Sequence, residues 1–79
     1  MTGNLFYIKN KYTNKMFVGE KLINIGNTQS LKVYDWTKNL NDAKSFNSYS
    51  NALEAMWLIS NNNMVLEIIN KEEAISICN

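Results

Sequence analysis

Seventy-nine residues with a net charge of +1, no histidine, no arginine, no proline and a single cysteine set narrow bounds on this chain. They leave room for one domain, residues 1–79, and exclude an intrachain disulfide as its staple. The lack of arginine argues against a reader of base edges, and the lack of histidine against ordinary acid–base catalysis at neutral pH.

A domain of this size buries only about 60–65% of its unfolded surface. Small domains therefore lean on disulfides, a metal or another subunit. No carboxylate grouping in the sequence has a metal-ligand spacing, so no metal and no cofactor is expected. A homodimer is the remaining staple. The lysines are unevenly placed: residues 1–45 hold seven of them (Lys9, Lys11, Lys15, Lys21, Lys32, Lys38 and Lys44) against Glu20, Asp35 and Asp42. Residues 46–79 hold Lys71 against Glu54, Glu67, Glu72 and Glu73. The surface is expected to be weakly dipolar.

The N-terminal residues show no basic start followed by an apolar run, so no signal peptide is expected. No stretch approaches the roughly 20 apolar residues of a membrane span. With one thiol and neither feature, the expected location is the cytoplasm, with no membrane partner.

In chain order, residues 4–9 (NLFYIK) predict a strand whose two faces are both apolar, Leu5 and Tyr7 on one and Phe6 and Ile8 on the other. Such a strand belongs in the middle of a sheet or under a partner. A turn over residues 12–15 follows, with Asn14 suited to a left-handed conformation. Residues 16–18 begin a second strand, completing a hairpin over residues 4–19, and Gly19 marks a bulge or turn. Residues 21–25 extend that strand or form another. Gly26-Asn27 signals a turn, and residues 27–30 a polar loop. Residues 31–36 (LKVYDW) alternate cleanly, with Leu31, Val33 and Asp35 on one face and Lys32, Tyr34 and Trp36 on the other.

Residues 37–47 admit two readings. Asn39 or Asn41 caps a short helical turn, or residues 43–46 add a short edge strand, which is the preferred expectation. Residues 48–63 read as the main helix, capped by Ser48 or Ser50 and ended by the Asn61-Asn62-Asn63 run. At 100° per residue, Ala52, Ala55, Met56 and Ile59 fall within about 60° of a common direction, a face suited to packing on a sheet. Leu58 lies almost opposite and Trp57 on the edge. These two are either covered within the domain or meet another chain. Residues 64–69 (MVLEII) read as a buried strand, Asn70-Lys71 as a turn, and residues 72–78 as a last strand or a short helix. The fold class is α+β: a small antiparallel sheet of four to five strands with one helix packed on it, in the order β-β-β-(β)-α-β-β.

No catalytic residue is nominated. Cys78 has no histidine to activate it, adjacent Glu72 and Glu73 point apart in a strand, and the glycines form no phosphate loop. A sharper possibility is the strand face bearing Lys32, Tyr34, Trp36 and, on extension, Lys38. Lysines interleaved with aromatics can stack bases and hold phosphates, as in a small nucleic-acid or nucleotide binder. The competing reading puts Tyr34 and Trp36 in the core. Trp57 is of the residue type that anchors protein interfaces. The candidate partner-binding set is therefore Trp57, Leu58, Lys32, Tyr34, Trp36 and Lys38.

The segment Trp36, Thr37, Asn39, Leu40, Asp42, Ala43, Lys44, Phe46, Ser48 and Ala52 reads W-T-x-N-L-x-D-A-K-x-F-x-S-x-x-x-A. It resembles a pattern in small phage-encoded proteins of low-GC Gram-positive bacteria, in which a short sheet leads through such a segment into a helix. The resemblance covers residues 31–60. It implies that Phe46 plugs the core and Ser48 caps the helix. It further implies a phage or mobile-element origin. Many such proteins are inhibitors of host defence, anti-CRISPR proteins among them, acting by occluding a host protein or complex or by sequestering a signalling nucleotide. With no catalytic residue nominated, the expectation is a non-enzymatic inhibitor of this kind.

Overall fold

The computed structural model describes residues 4–59 and 65–78. Among these, β1 (Phe6–Asn10), β2 (Met16–Ile25) and β3 (Gln29–Thr37) lead through a short 3-10 turn (Leu40–Asp42) into α1 (Tyr49–Ile59), and β4 (Leu66–Asn70) runs directly into α2 (Lys71–Cys78). The strands form an antiparallel sheet in the order β3-β2-β1-β4, so the α+β architecture read from the sequence holds. β1 is an inner strand, which is why both of its faces are apolar.

The sheet is covered on both sides. On one face Ile8, Phe17 and Leu66 pack with Phe46 and with Ala52 and Met56 of α1, and Leu53, Ala55 and Ile59 close around them. The stripe expected on the helix is thus the face that meets the sheet. On the opposite face Tyr7, Met16 and Ile69 pack against Ala74 of α2, flanked by Leu40, Ile77 and Cys78. Lys9 and Glu67 stand directly opposite each other on β1 and β4, with Nζ 2.7 Å from the carboxylate. This pair joins the lysine-rich half of the chain to the acidic half.

Two expectations need correction. The tail over residues 72–78 is the helix of the two alternatives, so the chain ends in β4-α2 rather than β-β, and the sheet carries two helices rather than one. The physical reason is the second sheet face, which needs a cover. Ala74, Ile77 and Cys78 fall three and four residues apart and supply it. Asn70 is the N-cap of α2, its Oδ1 accepting from the Glu73 amide at 2.8 Å, and Glu72 and Glu73 sit in the first turn, where the helix dipole favours negative charge. The turn expected at residues 70–71 is therefore this cap.

The edge strand preferred for residues 43–46 is also replaced. Asn39 caps the 3-10 turn, its side chain accepting from the Asn41 amide at 3.0 Å, and strand pairing shrinks to one bridge between Phe46 and Phe6. The cause lies in how β1 and β2 diverge. They are paired at Lys9↔Met16, after which β2 bulges between Phe17 and Gly19, where Gly19 had marked a bulge or turn. Residues 44–46 fill the gap: the Lys44 amide donates to the Phe17 carbonyl at 2.8 Å, and Phe6 and Phe46 exchange both backbone bonds at 2.9 and 2.8 Å. This wedge buries Phe46 in the core.

Ser48 caps α1, its Oγ accepting from the Asn51 amide at 3.1 Å, so the Ser50 alternative falls away. The Asn61–Asn63 run and Met64 lie outside the described residues. Asn14 takes the left-handed conformation expected of it (φ 59°), and Gly26 does so at the β2–β3 turn (φ 71°). The polar loop expected over residues 27–30 is shorter, because Gln29 and Ser30 pair with Ile25 and Asn24 in β3. Past Gly19 the β2–β3 hairpin continues as an arm with no third strand beside it among the described residues. Residues 20–25 and 29–32 are all exposed, and the molecule is accordingly elongated, 48 × 26 × 25 Å. No helix among the described residues is long and apolar enough to cross a membrane.

Candidate functional site

The bulge that admits residues 44–46 has a second effect. A β-bulge increases local twist and bends its strand. An open cleft lies between the hairpin and α1 beside this bulge. It is lined by Phe17, Val18, Gly19 and Glu20 of β2, Lys32 and Tyr34 of β3, Lys44, and Ala55, Leu58 and Ile59 of α1, and encloses about 490 Å³. That is within the roughly 300–1,000 Å³ of ligand clefts.

Its floor is aromatic. The Phe17 ring lies 6.1 Å from Tyr34 and 5.6 Å from Trp36, the latter edge-on, a geometry favoured by aromatic quadrupoles. The Tyr34 hydroxyl donates to the Leu58 carbonyl at 3.4 Å. That carbonyl belongs to the last turn of α1, where carbonyls lack intrahelical partners, so the contact ties hairpin to helix at the rim. The rim is charged. Lys32 faces Glu20 across the hairpin at 3.5 Å, with both side chains more than half exposed, a pairing worth little in water. Lys44 stands 5.6 Å from the Phe46 ring centroid. Two lysines against one glutamate give the cleft an apolar floor and a net positive edge.

The six residues predicted from the sequence divide as follows. Lys32, Tyr34 and Leu58 come together on the cleft. Trp57, the neighbour of Leu58, is 58% exposed and Leu58 is 82% exposed, so among the described residues neither is covered. Trp36 lies on the α1 side, half-buried against Phe17. Lys38 is elsewhere, on a separate open depression of about 550 Å³ with Asn39, Leu40, Asn41, Ile75 and Cys78. The four side chains read as one lysine–aromatic face are therefore not an open platform: Tyr34 and Trp36 pack on Phe17 beneath α1, and Lys38 has left β3.

Sequence reasoning missed Phe17 and Lys44 as cleft residues, because both depend on the bulge. It also missed the arm, on which Leu22, Ile23, Ile25 and Leu31 are exposed. The strand over residues 21–25 and the turn at residue 26 were legible; that this hairpin projects uncovered was not. No grouping of three or more potential metal-ligating side chains occurs among the described residues. Comparison with family models, curated proteins and solved structures gives no match for this chain.

Proposed function

We propose that this chain is a non-enzymatic protein-binding module that seats an apolar side chain of a partner protein in the cleft between α1 and the β2–β3 hairpin. The observation that carries the reading is the pairing of Leu58 and Trp57, both exposed, with an adjacent cleft whose floor is aromatic and already formed. Interface anchors are typically large apolar or aromatic groups entering such pockets, ringed by polar contacts. The lysines at the rim favour a partner segment with an acidic residue beside its apolar anchor. The polar groups in the cleft are a tyrosine hydroxyl, one carboxylate and two ammonium groups, and none forms a nucleophile–base pair.

The partner is proposed to be a host protein or complex whose surface is occluded, an antiviral defence factor of the CRISPR type. This part rests on the resemblance of residues 31–60 to small phage-encoded proteins, many of which are inhibitors of host defence. Phe46 and Ser48 take the core and cap positions which that resemblance implies.

The test is a titration of the purified partner, identified by capture from host lysate, with wild-type protein and with Leu58→Asp. A leucine this exposed contributes little to folding, so the variant is expected to keep its circular dichroism spectrum and melting temperature. Its affinity is expected to fall by 10-fold or more, about 1.4 kcal/mol. Tyr12→Ala, equally exposed at 79% but on the β1–β2 turn, is expected to bind as the wild type does. Equal affinity for wild type and Leu58→Asp would remove the cleft from the interface.

A further inference from the structure

The sheet has one long open edge. β3 spans nine residues, Gln29–Thr37, and has β2 as its sheet neighbour. No backbone hydrogen bond from the described residues outside the sheet reaches it. Open edges are commonly blunted by prolines, bulges or charged side chains. β3 has no proline, the bulge of the hairpin lies on β2, and its two charges, Lys32 and Asp35, are paired within the hairpin to Glu20 and Lys21. A strand edge of about 30 Å in this state is a template for another strand.

We propose that the edge of β3 pairs antiparallel with β3 of a second copy of this chain, with the two Val33 residues facing each other on a two-fold axis. Three properties of the sequence of β3 select this occupant and this register. Val33 is the midpoint of the strand, so the register pairs all nine residues: Gln29 with Thr37, Ser30 with Trp36, Leu31 with Asp35 and Lys32 with Tyr34 of the other copy. No like charges stand opposite each other in it. Centring on Lys32 or on Asp35 would oppose two lysines or two aspartates, which destabilises a ladder, and centring on Tyr34 shortens the pairing by two residues.

The second property concerns the faces. A two-fold axis normal to the sheet merges like faces. Ile23, Leu31 and Val33 lie on the hairpin face away from α1, by their register with one another. In the pair Val33 meets Val33 of the other copy, with Leu31 of each chain on the diagonal from it and Ile23 behind Leu31 on β2. Asp35, opposite Leu31 of the other copy, is already held by Lys21 at 3.2 Å. The third property is clearance. The antiparallel arrangement sets each tip turn beside the base of the other hairpin, so the two helical bodies lie at opposite ends. The cleft shares Lys32 and Tyr34 with β3 but lies on the α1 face, whereas Val33 is on the opposite face and does not line it. Substitutions at Val33 therefore test self-association apart from partner binding.

The edge contact is smaller than the roughly 800 Å² per partner of a standard interface, so the association is reversible and concentration-dependent. Sedimentation equilibrium of the full chain over a wide concentration range is expected to show a monomer–dimer equilibrium. Val33→Lys, which places two charges on the axis, is expected to raise the dissociation constant at least 10-fold with an unchanged circular dichroism spectrum. In a Cys78→Ser background, Val33→Cys is expected to form an interchain disulfide on mild oxidation, because opposed residues in an antiparallel pair have Cα atoms about 4.5–5.5 Å apart. Gln29→Cys, at the far end from its own counterpart, is expected not to. A wild-type chain that stays monomeric, a dimer indifferent to Val33→Lys, or cross-linking as efficient at residue 29 as at residue 33 would each overturn the proposal.

Discussion

Replacing Phe17 by alanine is expected to cost about 3–5 kcal/mol, the range for removing a buried aromatic side chain. Phe17 is buried on the α1 face, in edge or tilted contact with Trp36 and Tyr34, and its carbonyl anchors the wedge of residues 44–46. A domain of this length has about 4–12 kcal/mol of total stability. The variant is therefore expected to be largely unfolded or to unfold at a much lower urea concentration, as read from far-UV circular dichroism. Phe17→Leu keeps most of the apolar volume and is expected to lose under about 1.5 kcal/mol. It still removes the Phe17 ring from the floor of the cleft and leaves Tyr34 without its aromatic neighbour, so partner affinity should fall in a protein that remains folded. An unchanged urea midpoint for Phe17→Ala would contradict the placement of this ring.

Ile8→Ala is expected to cost about 2–5 kcal/mol. Ile8 is fully buried on the inner strand β1, beneath α1, where a cavity has sheet on one side and helix on the other and little freedom to collapse. The same chemical change on the arm provides the contrast. Ile25 is 48% exposed near the hairpin tip, and Ile25→Ala is expected to stay within about 0.5 kcal/mol of wild type in the monomer. Urea titrations of both variants, run at a concentration too low for self-association, separate core from arm. Similar losses at the two positions would show that the arm is covered rather than projecting.

Particular residues show how much of this was legible. The double-faced apolar pattern of Leu5 to Ile8 placed β1 inside the sheet, because only an inner strand covered on both sides needs it. The alternation of residues 31–36 gave the faces of β3, and the 3.6-residue stripe gave the inner face of α1. These signals are local and strong. The tail was ambiguous because Ile75 and Ile77 satisfy a period of two while Ala74, Ile77 and Cys78 satisfy a helical one. Only the uncovered face bearing Tyr7, Met16 and Ile69 decides between them, and that is a tertiary fact. The segment 43–46 misled for a related reason. Its backbone bonds do go to strand residues, Phe6 and Phe17, but only where β1 and β2 no longer pair with each other, which is a tertiary circumstance.

The candidate site was legible in part. Leu58 and Trp57 stood out as apolar residues off the packing face, and Lys32 and Tyr34 as neighbours on β3. Their convergence depends on how the hairpin lies relative to α1, which no periodicity encodes. Lys38 was assigned to the same face on the assumption that β3 runs past Trp36 with its alternation intact. The strand ends at Thr37, whose Oγ1 accepts from the Asn39 amide at 3.0 Å and turns the chain away.

The most direct measurement of the central claim is site-specific photo-cross-linking in host cells, with the photoreactive residue placed at position 58 in one protein and at position 12 in another. A cleft that receives a partner side chain predicts a discrete cross-linked host protein from position 58, absent from position 12 and lost when Phe17→Leu is added. Equal products from both positions, or none from position 58, would contradict it.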